Sequence, residues 1–427
     1  MEFHISFFQV LIAFFLPLVL FIATRKTRAR NVSRRVIPGP WKLPWIGNLH
    51  QLAVSDLLHR TLRDLASKHG PIMHLQLGQV STLVISSPEM AREIMKTHDL
   101  GNYWRHLRKI CNEELLSAAR VGSFQLIREG EQGQPLGRSA KIKEAFISTV
   151  SEETKVNSGF FLSEFFPSLK FVDTWSGLRH RVEKIHGEAD RIIGNIVNDH
   201  KEKRARARSE DIEDKEDLVD VLLRLQEVGQ FPSTDNNVKA IIFDLFSGGS
   251  ETSSTVVDWA MAEIIKNPTV MRKAQAEVRE AFQGKGNVEE TGIHQLKYLK
   301  CVIKETLRLH PVFPLLLPRE CSQSCEVNGF QIPTKTRVMI NAWAIGRDPN
   351  HCSSHSGVDE GYVRAFLFAP PNVELPLAQL LFHFDWKLPV GMKEDDFDMT
   401  EAFGLSVRRK NELVLVPTPY PASVTVT

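Results

Sequence analysis

An apolar run near the start of the chain constrains the rest, because it is long enough to cross a bilayer. The run extends from Ile5 to Ala23, close to the ~20 apolar residues that a membrane-spanning helix needs. Glu2 precedes it, and basic residues follow it: Arg25, Lys26, Arg28, Arg30, Arg34 and Arg35. This charge asymmetry predicts an uncleaved anchor at residues 1–24 with the remaining chain on the cytosolic side. A cleaved secretory signal is the weaker alternative, since its positive charge would come first.

A basic, proline-rich hinge at residues 25–50 follows the anchor. Pro38, Pro40 and Pro44 fix φ at three nearby positions of IPGPWKLPWIGNL and stiffen the connection. We therefore expect the body, residues 51–427, to be held in a fixed posture near the membrane surface.

The composition of the chain excludes some classes of function. With 427 residues, of which 42% are hydrophobic, the chain can bury a core in one large or two smaller domains. Its 53 basic and 51 acidic residues give a net charge of +2, which offers no case for nucleic-acid binding. Five scattered cysteines are too few for a disulfide framework and favour a reducing compartment. Cys321 and Cys325 lack a second pair of ligands at zinc spacing, which favours unpaired thiols over a metal site.

Local patterns predict a mainly α fold with small β-sheets. Residues 52–69 form a helical pattern that Gly70 and Pro71 end, residues 72–87 alternate like two strands, and a helix begins near Pro88. Helical patterns dominate residues 144–267, interrupted by the mixed-charge stretch 201–217, which suits a solvated face or loop. Asn328 and Gly329 predict a hairpin, and residues 405–416 predict another.

An apolar helical run from Ile241 to Lys266 contains SGGSETSST at its middle. Gly248 and Gly249 each cost a helix roughly 1 kcal/mol relative to alanine, so something is expected to approach closely there. Beside them, Glu251 and Thr252 are able to relay protons to a bound oxygen species. The alternative, an ordinary helix with its hydroxyls turned to solvent, stays open on these residues alone.

Two further groups of residues are ambiguous by themselves. Glu305 and Arg308 lie one helical turn apart and are able to pair, but the same spacing recurs at residues 89 and 92 and at 188 and 191. Trp104, Arg105 and Arg108 could hold a carboxylate, although arginine on a helix more often belongs to the surface.

Taken in order, these segments resemble the cytochrome P450 superfamily, in particular its plant microsomal branch. The resemblance covers most of the chain and rests on the anchor, the PGP hinge, YWRHLRK, SGGSETSST, KETLRLHP, PRE, NAWAIGRDP and NVELPLAQLLFHFDWKLP. It implies a cytochrome P450-like fold behind one transmembrane helix, in the endoplasmic reticulum membrane.

The resemblance also implies a reaction and its cofactors. Family members hold haem b and insert one oxygen atom of O₂ into a lipophilic substrate, here of the terpenoid or a related secondary-metabolism class. Their electrons come from NADPH through a membrane-bound reductase. A nucleic-acid partner is not implied.

Specific roles follow from the resemblance for the residues that match its motifs. Glu251 and Thr252 match the acid-alcohol pair that directs protons onto iron-bound dioxygen. Gly248 and Gly249 match the family's groove, which makes room for that dioxygen. Three residues match positions that hold the haem propionates: Trp104, Arg105 and Arg319. Glu305 and Arg308 match a structural pair without a chemical role.

The sequence departs from the family where the iron-binding cysteine is expected. The thiolate favours O–O cleavage by pushing electron density onto the iron, but Val363 stands at the position that the family's spacing assigns to it. Cys352 is a weak substitute because it lacks the glycine turn that supports the sulfur. His351 and His355 are interpreted as loop histidines.

The sequence also lacks parts of the family pattern near residues 100/101, 126–143 and 350–371. Each gap lies between well-matched stretches, which favours skipped or misjoined coding segments. We therefore predict that the chain as written lacks activity. The alternatives are a non-catalytic, membrane-anchored remnant and an incomplete gene model of an active enzyme.

Overall fold

The computed structural model describes residues 36–53, 57–97, 109, 111–115, 138–157, 161–210, 216–229, 234–349, 370–393, 397–402 and 404–421. Within these ranges no helix combines the length and the apolar character that a membrane crossing requires. The predicted anchor at residues 1–24 lies outside them. Trp104, Arg105, Cys352 and Val363 also lie outside them.

Helices supply most of the regular structure. Their bounds are α1 Leu49–Leu52, α2 Leu58–His69, α3 Pro88–Thr97, α4 Arg138–Asn157, α5 Leu162–Phe165, α6 Phe171–Trp175, α7 Leu178–Glu210, α8 Leu218–Glu227, α9 Asp235–Lys266, α10 Pro268–Ala281, α11 Lys297–Leu309, α12 Ala342–Ile345 and α13 Pro370–His383. Short helical turns lie at Cys111–Leu115, Pro167–Leu169 and Glu290–Gln295. The predicted fold, mainly α with small sheets, is confirmed in the part of the chain described.

Short strands form three small sheets. The strands are β1 Ile72–Leu77, β2 Val80–Ile85, β3 Arg319–Glu320, β4 Cys325–Val327, β5 Phe330–Ile332, β6 Arg337–Ile340, β7 Phe384–Lys387 and β8 Val416–Pro419. One sheet has the order β1-β2-β6-β3, and the others pair β4 with β5 and β7 with β8. In the first sheet β2 pairs with β6 in parallel, although more than 200 residues separate them along the chain.

The main hydrophobic core lies where α9 packs with α10, α11 and α13. Ala260, Val278, Leu299 and Leu377, one from each helix, are fully buried there. Burying a large apolar side chain stabilises the fold by roughly 1.5–3 kcal/mol. A second cluster joins α7, α8 and the first turns of α9. The two clusters therefore pack against the two ends of α9. The middle of the helix lies between them and is the place where a site can form.

Most of the predicted helix ends and turns are present in the structure. Gly70 ends α2 with φ of +106°, and Asn328 and Gly329 adopt positive φ between β4 and β5. The stretch 201–217 is corrected in part, because α7 continues into it as far as Glu210, and residues 201–206 of that helix are mostly exposed.

The hairpin predicted at residues 405–416 is wrong. Instead the Val407 N–H bonds to the Val312 carbonyl, and β8, which begins at Val416, pairs with β7. The apolar residues of this stretch thus find partners far away in the chain, and a local turn does not pair them.

Candidate functional site

The middle of α9 presents an open face at the two glycines. A Cβ added at Gly248 or Gly249 would meet no heavy atom of the described residues within 4 Å. Packing against the described part of the chain therefore does not require glycine at either position. The space beside the helix is consistent with a groove that a flat ligand occupies.

Glu251 lies half-buried on the same helix, with each carboxylate oxygen bonded to a hydroxyl from another element. Thr154 of α4 donates to Oε2 at 2.5 Å, and Ser406 donates to Oε1 at 2.8 Å. The Thr252 hydroxyl donates to the Gly248 carbonyl. The acid and the alcohol are neighbours in sequence, but they have different partners.

The loop that carries Ser406 is fixed by its backbone. The Val407 N–H donates to the Val312 carbonyl at 2.8 Å. The Val407 carbonyl accepts from Trp259 Nε1 at 3.1 Å. Ser406 itself is 7% exposed. The backbone of the loop therefore positions the Ser406 hydroxyl independently of its contact with Glu251.

A buried aromatic and polar cluster lies two turns further along α9. The Trp259 ring stacks on His310 at 3.8 Å, and His310 Nε2 contacts Glu263 Oε1 at 2.7 Å. The hydrogen bond from His310 lowers the pKa of the Glu263 carboxyl. Sequence reasoning missed this cluster, although Trp259 and Glu263 are four residues apart and so share a helix face.

Glu305 and Arg308 form the ion pair that their spacing permits. Two parallel bonds of 2.8 and 2.6 Å join them, and Arg308 Nη1 also donates to the Gly346 carbonyl at 2.6 Å. The pair therefore ties the end of α11 to the residue after α12. This supports a structural role.

Arg319 lies half-buried in β3, where its backbone pairs with Val338 of β6. Its predicted contact with a haem propionate stays a prediction. The same holds for Trp104 and Arg105, which lie outside the described residues.

The cytochrome P450 family model matches residues 37–108 and 133–353 of the chain, which is more than half of its length. The class is thus that of monooxygenases built around a long central helix. The chain belongs to the cytochrome P450 family.

Plant enzymes are similar over nearly the whole length. Desmethyl-deoxy-podophyllotoxin synthase of Sinopodophyllum hexandrum is 44% identical, over 94% of this chain and 95% of that enzyme. Premnaspirodiene oxygenase of Hyoscyamus muticus is 41% identical, over 98% and 99%. Salviol synthase of Salvia pomifera is 40% identical, over 98% of each. The predicted resemblance to plant oxygenases is confirmed.

The family implies a haem, and the described residues fit only part of its surroundings. The open face at Gly248 and Gly249 gives it room. The cysteines in the described ranges are Cys111, Cys301, Cys321 and Cys325, and all precede the position where the ligand is expected. Burial raises the pKa of Cys111, and burial together with Cys325 raises the pKa of Cys321 to about 11. These two thiols therefore favour the protonated form, and none of the four described cysteines stands at the position where the family's iron ligand is expected.

Proposed function

We propose that this chain descends from haem-thiolate monooxygenases of lipophilic, terpenoid-type compounds and that, as written, it is inactive. The observation that carries the proposal is the residue at the ligand position, Val363, which cannot bind iron through a thiolate. None of the described cysteines stands at that position, and partial burial raises the pKa of two of them, Cys111 and Cys321.

The extent of the family match agrees with two of the proposed gaps. The match is interrupted between residues 108 and 133, which overlaps the gap proposed at 126–143, and it ends at residue 353, inside the gap proposed at 350–371; it passes through residues 100 and 101. The alignment with premnaspirodiene oxygenase extends over 500 positions, whereas the chain has 427 residues. Dozens of positions in that enzyme therefore have no counterpart here.

A carbon monoxide difference spectrum tests the proposal directly. We expect the purified, reduced chain to give no thiolate-haem band. Val363→Cys is the matched variant, and we expect it to give none either, because an unsupported ligand loop does not hold a sulfur in place. A band of normal intensity from the unaltered chain would refute the proposal. If Cys352→Ala then abolished that band, the ligand would be identified as Cys352.

Sequencing the transcript across Leu100 and Gly101, and from Cys352 to Phe368, tests the alternative of an incomplete gene model. An uninterrupted match to the printed sequence would eliminate that alternative. A longer transcript with a cysteine codon in the second interval would support an ordinary monooxygenase, which receives NADPH electrons through a reductase.

One observation favours a second candidate, a remnant that binds lipophilic molecules without reacting. Phe246 is 50% exposed on the open part of α9, and its ring packs edge-on against Phe146 at 5.5 Å. We expect the chain to bind a lipophilic dye and Phe246→Ser to bind it less. The two proteins carry the same N-terminal segment, so its contribution cancels. Equal binding by both would contradict this candidate.

We place the chain in the endoplasmic reticulum membrane as a single-pass protein with a cytosolic body. The apolar run and its following basic residues support this placement. Protease added to sealed microsomes should digest the body. A protected body would contradict the placement.

A further inference from the structure

Glu251 joins three separate parts of the fold through side chains. Thr154 lies 97 residues before it and Ser406 lies 155 residues after it. The carboxylate therefore bridges α4 and the C-terminal loop across the face of α9. A residue that merely faced solvent would not hold two fixed hydroxyls.

The Thr154 hydroxyl has a single proton but two acceptors within reach. Its Oγ1 lies 3.0 Å from the Val150 carbonyl, the usual back-bond of threonine in a helix, and 2.5 Å from Glu251 Oε2. When Glu251 is ionised, the shorter contact requires Thr154 to donate to the carboxylate. Hydrogen bonds to a charged oxygen are roughly twice as strong as neutral ones. The hydroxyl is thus committed to Glu251 at the expense of its own helix.

Ser406 makes the complementary contact from a site with little freedom. The backbone N–H and carbonyl of its neighbour Val407 are both hydrogen-bonded, and Ser406 is only 7% exposed. The hydroxyl reaches Oε1 at 2.8 Å. Each carboxylate oxygen of Glu251 therefore has one hydroxyl donor held by a different element.

We propose that Thr154 and Ser406 are positioning residues that set where the Glu251 carboxylate lies. The inference goes beyond the proposed function: Glu251 is the acid to which the family resemblance assigns proton delivery, and the position of its carboxylate does not depend on a haem or on activity. Thr154 orients Oε2 and Ser406 orients Oε1, so both act through Glu251.

Infrared difference spectra test this positioning without any haem. The spectrum of the full chain minus that of Glu251→Gln, both labelled with ¹³C in the glutamate carboxyl, isolates the carboxylate stretch of Glu251. We expect Thr154→Val and Ser406→Ala each to shift this band, because each removes one donor. The double variant should shift it further than either single variant, and not by their exact sum, because both donors share one carboxylate.

Matched variants separate positioning from a general loss of structure. Thr154→Ser and Ser406→Thr keep the hydroxyls, and we expect them to restore the band. Ser254→Ala removes a hydroxyl that bonds to the Glu251 backbone carbonyl, and we expect no shift. The proposal is overturned if Thr154→Val and Ser406→Ala fold but leave the band in place, or if Ser254→Ala shifts it as far. Since no haem is needed, a normal carbon monoxide band would refute only the proposed inactivity.

Discussion

At the scale of single residues, Glu401 is a buried acid with several hydrogen-bond donors around it. It is 5% exposed and accepts from Arg60 Nη2 at 2.8 Å, His59 Nε2 at 3.1 Å and Trp343 Nε1 at 3.3 Å. Burial opposes its charge, but the bonds from His59 and Arg60 outweigh burial and lower the pKa of Glu401 to about 2. Its stabilising effect is therefore complete above the ordinary carboxyl range and is lost as the pH falls towards 2.

Replacing this acid tests its contribution. We expect Glu401→Gln to lower the free energy of unfolding by about 2–3 kcal/mol at pH 7, because it removes the negative charge that Arg60 and the buried His59 contact. The difference from the unaltered chain should shrink as the pH falls from 4.5 to 3, because over this range the carboxyl takes up its proton in the unfolded chain while folded Glu401 keeps its charge. Urea unfolding at both ends of this range measures it.

The control is an exposed acid on the helix α7. Glu183→Gln removes the i,i+4 pair between Arg179 and Glu183, whose side chains are more than half exposed. Such pairs contribute roughly 0.5 kcal/mol or less. Equal losses in the two variants would contradict the role assigned to Glu401.

At the scale of elements, His200 connects α7 to the start of α8. Its Nδ1 lies 3.1 Å from Asp220 and its Nε2 lies 3.4 Å from Asp217. Both carboxylates also accept backbone N–H groups in the capping box of α8. The hydrogen bond to Asp220 is the main cause that raises the pKa of His200.

The interaction of His200 with Asp217 and Asp220 should stabilise α8 less as the pH rises. A raised folded-state pKa means that the stabilisation is complete below about 6.5 and is lost as the pH rises through the folded value. We expect hydrogen exchange of Leu218–Glu227, corrected for its intrinsic rate, to accelerate between pH 6 and pH 8.5. His200→Gln should remove that dependence. His186→Gln, at an exposed position on α7, should leave it unchanged, and a dependence that survived in His200→Gln would contradict the assignment.

The two kinds of glycine in the fold should respond oppositely to alanine. Gly249 has open space around it in a helix interior, so Gly249→Ala should stabilise the chain by about 0.5–1 kcal/mol. Gly78 has φ of +57° and its added Cβ would lie 2.5 Å from the Phe165 carbonyl oxygen. Gly78→Ala should therefore cost more than about 1 kcal/mol. Thermal unfolding measures both. A loss of stability in Gly249→Ala would show that something already occupies the open face.

Local signals in the sequence predicted these elements better than the contacts between them. Gly70, Asn328 and Gly329 mark their turns because their conformations are local. The partners of Glu251 leave no such signal, since Thr154 and Ser406 become neighbours only after the helices pack. The hairpin predicted at 405–416 is wrong for the same reason. The alternating pattern indicates extended backbone but does not identify the segment that pairs with it.

At the scale of the molecule, contacts between distant segments should make unfolding cooperative. The His59–Glu401 contact closes a loop of 342 residues, and Val407 joins the C-terminal loop to α9. We expect tryptophan fluorescence and far-ultraviolet circular dichroism to report one coincident urea transition. Two separated transitions would contradict this expectation.

The parallel pairing of β2 with β6 also has a consequence for synthesis on the ribosome. Val80–Ile85 emerges with one edge bonded to β1, but the partner for its other edge begins only at Arg337. At ~5–20 residues per second, that edge waits on the order of tens of seconds for its partner. During this interval an open strand edge is able to pair with other chains. The free edge of β2 in the nascent protein therefore has to be shielded from other chains until more than three-quarters of the chain has been translated.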